Sequence, residues 1–264
     1  MARRKNRDRH RRRGGRFGGL YKLLSLLVIL LAIGAGCVAF FRVNEVVVVG
    51  NSRYTAQEIA AASGVEKGDN LFLINRPQTI VNIQRKLPYV SRGAVVVRPP
   101  DVLELRIVES VAVAAVDTEE GRWLLSSGCK LLELSGGEDL PTVLGLTPQL
   151  PSLGSPLAVT AEEQRKLDSL KGLLSALEER GLCEGLTGFI DLSAMNSIYF
   201  GYGEALTVEV PMAGDFQRLA FSLERVMETF AQRGEQVMGT LDLTYGSGEA
   251  RLLPDRWVPA GWQE

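Results

Sequence analysis

Hydrophobic positions in this chain follow three regimes. Between Leu23 and Phe41 there is no period at all: LLSLLVILLAIGAGCVAFF carries no charge, and Ser25 and Cys37 are its only polar side chains. Nineteen residues of helix at about 1.5 Å each reach roughly 28 Å, close to the thickness of a bilayer's hydrocarbon core. The stretch predicts a membrane-spanning helix. Beyond it, apolar residues come in short β-branched runs and alternations, which predict strands, or at three-to-four spacing, which predicts helices.

Residues 42–110 read as a first folded unit. Glu45–Val49 is a β-branched run closed by Gly50-Asn51, a strand ending in a turn. Thr55-Ala-Gln-Glu58 is a capping box that opens a short helix, and Gly64 stops it. Pro77 suits the first position of a second helix, whose face carries Ile80, Ile83 and Leu87 before Pro88 ends it. A strand at Ala94–Val97 and the turn Pro99-Pro100-Asp101 lead into Val102–Glu109. There Leu103, Leu105 and Ile107 alternate with Glu104 and Arg106. The order is strand, helix, helix, strand, strand.

Residues 111–248 are richer in strands. Val111–Val116, Arg122–Leu125, Lys130–Leu134, Leu140–Leu144, Phe189–Leu192, Ser197–Phe200 and Thr207–Val210 all fit short strands, with a hairpin turn at Ser126–Cys129. Two helices interrupt them. Thr160-Ala-Glu-Glu163 reads as a capping box ahead of the stripe Leu167, Leu170, Leu174 and Leu177. Asp215 caps the second, with Phe216, Leu219, Leu223, Val226 and Phe230 on one face. A last strand, Thr240–Tyr245, places Leu241, Leu243 and Tyr245 together. Residues 249–264, with Trp257 and Trp262, form a Pro-containing tail. The fold class expected is α+β: one transmembrane helix, a β-α-α-β-β domain and a mixed β-rich domain with two helices.

Charge gives this layout a direction. Ten of the chain's 30 Lys and Arg lie in residues 1–22 with Asp8 the only acid, a net +9, so the remainder holds 20 against 30, a net −10. A basic flank stays in the cytoplasm, so the C-terminal bulk is expected outside it. Arginine blocks also neutralise nucleic-acid phosphates. Beside a span, topology and anionic lipid explain this one more simply, and the tail is expected to be disordered. A cleaved signal peptide fits poorly, because the apolar run is long and no A-x-A site closes it. Lipidation at Cys37 fits poorly as well, because Val38–Phe41 stay apolar after it.

Candidate enzyme chemistry is thin. Ser127-Gly-Cys-Lys130 matches S-x-x-K without the S-D-N and K-T-G partners that motif requires. The sole histidine, His10, lies before the span, so residues 42–264 offer no Ser–His or Cys–His pair and no His-based zinc site. Gly201-Tyr-Gly203 lacks the third glycine of a dinucleotide loop. Asp191 and Asp242 read as solvent-side strand residues rather than a carboxylate pair. Cys129 and Cys183 are the two cysteines left to pair, and their spacing does not decide whether they do. No cofactor, metal or small-molecule substrate is expected.

The pieces EVVVVGN, TAQEI, GDNLF, LPYV and PDVLELRIVE, in this order behind a basic-flanked span, resemble the POTRA domain of the bacterial division proteins FtsQ and DivIB. LPTVLGL, GFIDLS, the helix led by Asp215 and GTLDLTYGSG continue the resemblance to about Gly248. It implies a non-enzymatic divisome scaffold at the cytoplasmic membrane, single-pass with the N-terminus inside, expected at the division septum. It also implies partners of the FtsB/DivIC and FtsL types. The segment DLTYGSG resembles the part that meets the FtsB/DivIC-type coiled-coil protein, which carries Tyr245, Ser247 and Gly248 over as partner-binding residues on the open edge of the last strand. The alternatives there are that Glu249–Leu253 folds back over that edge or that Tyr245 is a core residue. Thr244 stands where the family often has arginine. The alternatives are a cell-wall enzyme or accessory working through Ser127, and a POTRA adaptor in protein secretion.

Overall fold

The computed structural model describes residues 17–135, 139–245 and 250–262. The basic tail up to Arg16, Ser247 and Gly248 lie outside the described residues. Helix α1, Phe17–Phe40, carries the apolar run and leaves its large apolar side chains exposed. Its window Gly19–Gly36 has a mean hydropathy of 2.0, long and apolar enough to cross a membrane.

The POTRA region follows as β1 (Glu45–Val49), α2 (Ala56–Ser63), α3 (Arg76–Lys86), β2 (Val90–Arg98) and β3 (Val102–Glu109). Its sheet runs β1-β3-β2, with β1 parallel and β2 antiparallel to the central β3. The capping box forms as expected: Glu58 N–H donates to Thr55 Oγ1, and Thr55 N–H to Glu58 Oε2 at 2.8 Å. Gly64 closes α2 in the left-handed region. Asn75 caps α3 by accepting from Gln78 N–H, which places Pro77 second in the helix rather than first. The alternation of β3 sends Leu103, Leu105 and Ile107 into a core with Ile59, Ile83 and Val90. On the opposite face Arg98 and Arg106 cover Glu104.

Among the described residues the β-rich region builds one mixed sheet of nine strands: β4 (Ala112–Thr118), β5 (Gly121–Ser126), β6 (Leu131–Leu134), β7 (Thr142–Leu144), β8 (Leu186–Asp191), β9 (Ser197–Tyr202), β10 (Leu206–Pro211), β11 (Gly239–Asp242) and β12 (Arg251–Leu253). Their order is β12-β11-β10-β9-β8-β7-β4-β5-β6. Helices α4 (Gln164–Glu179) and α5 (Phe216–Arg233) cover one face. The stripe Leu167, Leu170, Leu174 and Leu177 packs there on Ile190, Phe200, Val208 and Leu241. Asp215 caps α5 by accepting from Arg218 N–H.

The second capping box does not form. Helix α4 starts at Gln164, and Glu163 turns its carboxylate to Thr147, accepting from both the N–H and the hydroxyl at 3.0 Å. A capping pattern specifies two residues that can satisfy each other, and here the acid is engaged chiefly by Thr147 of a loop, with the Thr160 side chain a lesser partner.

About seventy residues make a marginal core alone, and the POTRA region leans on its neighbour. Lys130 Nζ, whose pKa burial pushes down, donates to the carbonyls of Gln84 (3.4 Å) and Val90 (3.1 Å). Arg53 lies 3.7 Å over the Tyr89 ring and pairs with Glu133 at 3.2 Å. Tyr89 packs in turn on Ala115, Leu124 and Leu132.

Candidate partner-binding edge

Strand β11 is shorter than the sequence suggests and is not the end of the sheet. It stops at Asp242, because Asp242 Oδ1 accepts from Thr244 N–H (2.8 Å) and Thr244 Oγ1 (2.7 Å) and turns the chain. Tyr245 therefore lies beyond the strand. After the turn the chain returns as β12, antiparallel to β11, pairing Asp242 with Arg251, Leu241 with Leu252 and Thr240 with Leu253. The edge of β11 is covered, and β12 is the outermost strand.

Which backbone groups β12 leaves open is set by the ladder. Gly239 N–H donates to Ala205 and Leu243 N–H to Glu209, so the odd-numbered residues of β11 face β10. Thr240 and Asp242 then face β12 and engage Leu253 and Arg251. The N–H and C=O of Leu252 point the other way, away from the sheet. All three residues of β12 are exposed, with Leu252 at 41% and Leu253 at 47%. Pro254 falls on the outward parity and ends the row of donors. The close approach depends on Gly239, whose φ is +108° and where a Cβ would stand 2.0 Å from the Leu253 carbonyl oxygen.

Tyr245 braces this edge. It is 43% exposed, its hydroxyl accepts from Arg251 Nη1 at 3.1 Å, and the Arg251 guanidinium lies 4.7 Å from its ring centre. Beside it, Leu243–Tyr245 and the start of α5 at Gly214, Asp215 and Arg218 border a cleft of about 290 Å³.

The tail beyond β12 packs down. Thr240 Oγ1 donates to Asp255 O and accepts from Trp257 N–H, and Thr207 Oγ1 donates to Trp257 O at 2.7 Å. Trp257 stacks on Tyr199 with ring centres 3.9 Å apart, and Trp262 meets Phe189 at 5.4 Å. Residues 255–262 thus run over the sheet face opposite the helices and hold the C-terminal end of β12.

That face explains the two aspartates. One row of neighbours crosses four strands: Asp191, Tyr199, Glu209 and Asp242. The Tyr199 hydroxyl donates to Glu209 Oε1 at 2.8 Å, and burial with the nearby Glu209 and Asp242 carboxylates pushes its pKa up to about 12. Asp191 is buried rather than solvent-facing, and it turns the chain after β8 by accepting from Ser193 N–H at 2.7 Å, as Asp242 does after β11.

Ser127 and Lys130 do not meet as a nucleophile and base. Ser127 Oγ donates to Glu178 Oε2 at 2.7 Å from a turn rather than a helix start, while Lys130 reaches the POTRA region. Cys129 and Cys183 are free thiols, and burial pushes them up to about 12 and about 11.

Of the three residues expected at the site, the structure places Tyr245, which lies against Arg251. The alternative in which Glu249–Leu253 folds back over the Thr240–Tyr245 strand is the one the structure has, at Arg251–Leu253, so the open edge is β12 rather than β11.

Two comparisons with known proteins bear on this arrangement. The family model of the POTRA domain, FtsQ-type, matches residues 41–110. The "Cell division protein FtsQ" of Syntrophotalea carbinolica is 25% identical over 190 residues, covering 62% of this chain and 67% of that protein. The matched segment makes residues 41–110 an FtsQ-type POTRA domain, and with the apolar helix ahead of it and the relative's extent past it the chain is similar to a bacterial cell-division protein of the FtsQ type.

Proposed function

We propose that this protein is a non-enzymatic, membrane-anchored scaffold of the division machinery. Helix α1 crosses the cytoplasmic membrane with the basic tail inside. The POTRA domain of residues 42–110 then sets the position of the β-domain outside, at the septum. Strand β12 captures an extended segment of an FtsB/DivIC-type partner, itself associated with an FtsL-type protein, and so couples the scaffold to septal wall synthesis. The observation that carries this reading is the outward backbone of Leu252 on a fully exposed edge strand. Such an edge accepts one more strand through main-chain bonds, while neighbouring side chains select the sequence. Tyr245 lies beside the path of a segment added along β12, and Ser247 and Gly248 complete the set of residues proposed to bind it.

The test is co-purification of the full chain with an FtsB/DivIC-type protein. Leu252→Pro removes the outward donor and touches no bond to β11; Tyr245→Glu places a charge beside the edge. Both variants should fold and lose the partner. Unchanged capture by both would overturn strand addition at β12. A reporter fused after Glu264 should be active only outside the cytoplasm.

A further inference from the structure

The residues that leave α1 are sewn to one loop of the POTRA domain. Val43 N–H donates to Asp69 O and Gly68 N–H to Val43 O, both at 2.8 Å, and Leu71 N–H donates to Phe41 O at 3.1 Å. The pairing is extended by an isolated bridge between Arg42 and Asn70. Side chains follow the backbone. The Phe41 ring meets Phe40 at 5.3 Å and Phe72 at 5.0 Å, both edge-on. Leu71 is fully buried, whereas Phe40 is 69%, Phe72 55% and Leu73 74% exposed. Phe40 and Phe72 thus flank Phe41 on the outside at the junction of helix and domain, with the exposed Leu73 next along the same loop.

The depth of this cluster is set by α1. The uncharged run Leu23–Phe41 reaches roughly 28 Å, about the thickness of the hydrocarbon core, and the first charge after it is Arg42. Phe40 and Phe41 therefore lie at the outer boundary of the hydrocarbon, and a loop hydrogen-bonded to Phe41 and Val43 cannot lie far from it. Aromatic and aliphatic side chains at this depth bury their apolar surface between lipid headgroups and upper acyl chains. Arg42, Lys67 and Arg76 flank the loop as partners for lipid phosphate, against Glu66 and Asp69, whose Oδ2 accepts from Glu66 N–H at 3.0 Å.

We propose that Phe72 and Leu73 are seated in the lipid interface of the bilayer that α1 crosses, giving the POTRA domain a second membrane contact that fixes its tilt. The occupant of this apolar cluster is the bilayer itself. The inference rests on the reading of α1 as a span, and the two are separable.

The full chain, reconstituted in nanodiscs of phosphatidylethanolamine and phosphatidylglycerol, would carry p-benzoylphenylalanine at one position at a time: 73 in the loop, 29 within α1, or the exposed position 150. Mass spectrometry after irradiation counts lipid adducts. Adducts at 73 well above those at 150 are expected. Adducts at 29 with none above the level of 150 at 73 would overturn the loop's seat and leave the anchor standing. None at 29 would overturn both. With the probe at 72, Leu73→Asp should cut the adducts to the level at 150; Leu73 is exposed, so the fold is retained, and an unchanged yield would count against the proposal.

Discussion

The two ends of the nine-stranded sheet meet the edge problem in opposite ways. At the β6 end a loop is laid along the strand: Leu131 N–H donates to Ser155 O at 2.9 Å, Gly154 N–H donates to Leu131 O at 2.8 Å, and Leu157 N–H donates to Cys129 O at 2.8 Å. Leu131 and Leu157 are both buried. At the β12 end the outermost strand is three residues long and exposed throughout. Both edges are hazards for uncontrolled pairing. Closing one with the chain's own backbone and leaving the other short, braced and terminated by Pro254 confines any added strand to one place. The tail from Asp255 to Trp262 belongs to the same device, since it pins the strand from behind without covering its outer side.

Proline substitution breaks this comparison most sharply. At the closed edge, Leu131→Pro removes a buried donor already engaged by Ser155 and empties part of a fully buried site, so it should cost about 3 kcal/mol or more in denaturant unfolding. At the open edge, Leu252→Pro should change stability by no more than about 0.5 kcal/mol, yet weaken partner binding about tenfold or more, equivalent to about 1.4 kcal/mol. Equal destabilisation by the two would mean that Leu252 is bonded inside the fold as firmly as Leu131. Gly239→Ala comes next. Its Cβ would be forced against the Leu253 carbonyl at a positive φ, a strain of about 1–3 kcal/mol. The expected outcome is release of β12 from β11, read as faster hydrogen exchange confined to residues 240–253 and loss of the partner.

How far each edge was legible in the sequence depends on the same contacts. The POTRA elements were readable because each carries its own local punctuation: Thr55 with Glu58, Gly64, Asn75 with Pro77, and strict alternation through β3. The helix stripes of α4 and α5 were readable for the same reason. What failed was long-range. Glu163 matched a cap but found Thr147, sixteen residues away, and Asp242 looked like a strand residue but serves a turn. The β12 edge depends on a three-residue strand whose existence requires Gly239 to admit it and Thr240 to hold the segment from Asp255 to Trp257 behind it. Tyr245 came from family resemblance; its brace, Arg251, is visible only once the chain has turned back.

Acidification should loosen the closed edge and leave the open one alone. The hydrogen bonds from Thr147 hold the Glu163 carboxyl below the usual range. A carboxyl depressed in the folded state stabilises it fully above its unfolded pKa, and that contribution is lost as pH falls through the folded value. Hydrogen exchange corrected for intrinsic rates should therefore show the amides of Thr147 and of Gln149, which donates to Ala158 O at the end of that edge loop, opening as pH drops from about 6 through the carboxylate range near 4.3 and below. Exchange at 251–253 should not follow. In Glu163→Gln the pH dependence should disappear, and its persistence would assign the effect to another carboxyl.

The smallest effect expected separates brace from contact at Tyr245. Tyr245→Phe deletes the acceptor for Arg251 Nη1 but keeps the ring beneath the guanidinium. Both groups are exposed, so the lost bond should cost no more than about 1 kcal/mol and leave β12 paired. If the ring alone positions Arg251, partner affinity should fall by less than about threefold, within the range of such exposed contacts. A tenfold loss with unaltered exchange at 251–253 would instead place the hydroxyl in direct contact with the partner. A tenfold loss accompanied by faster exchange there would show that the edge opens only while this hydrogen bond holds it in register.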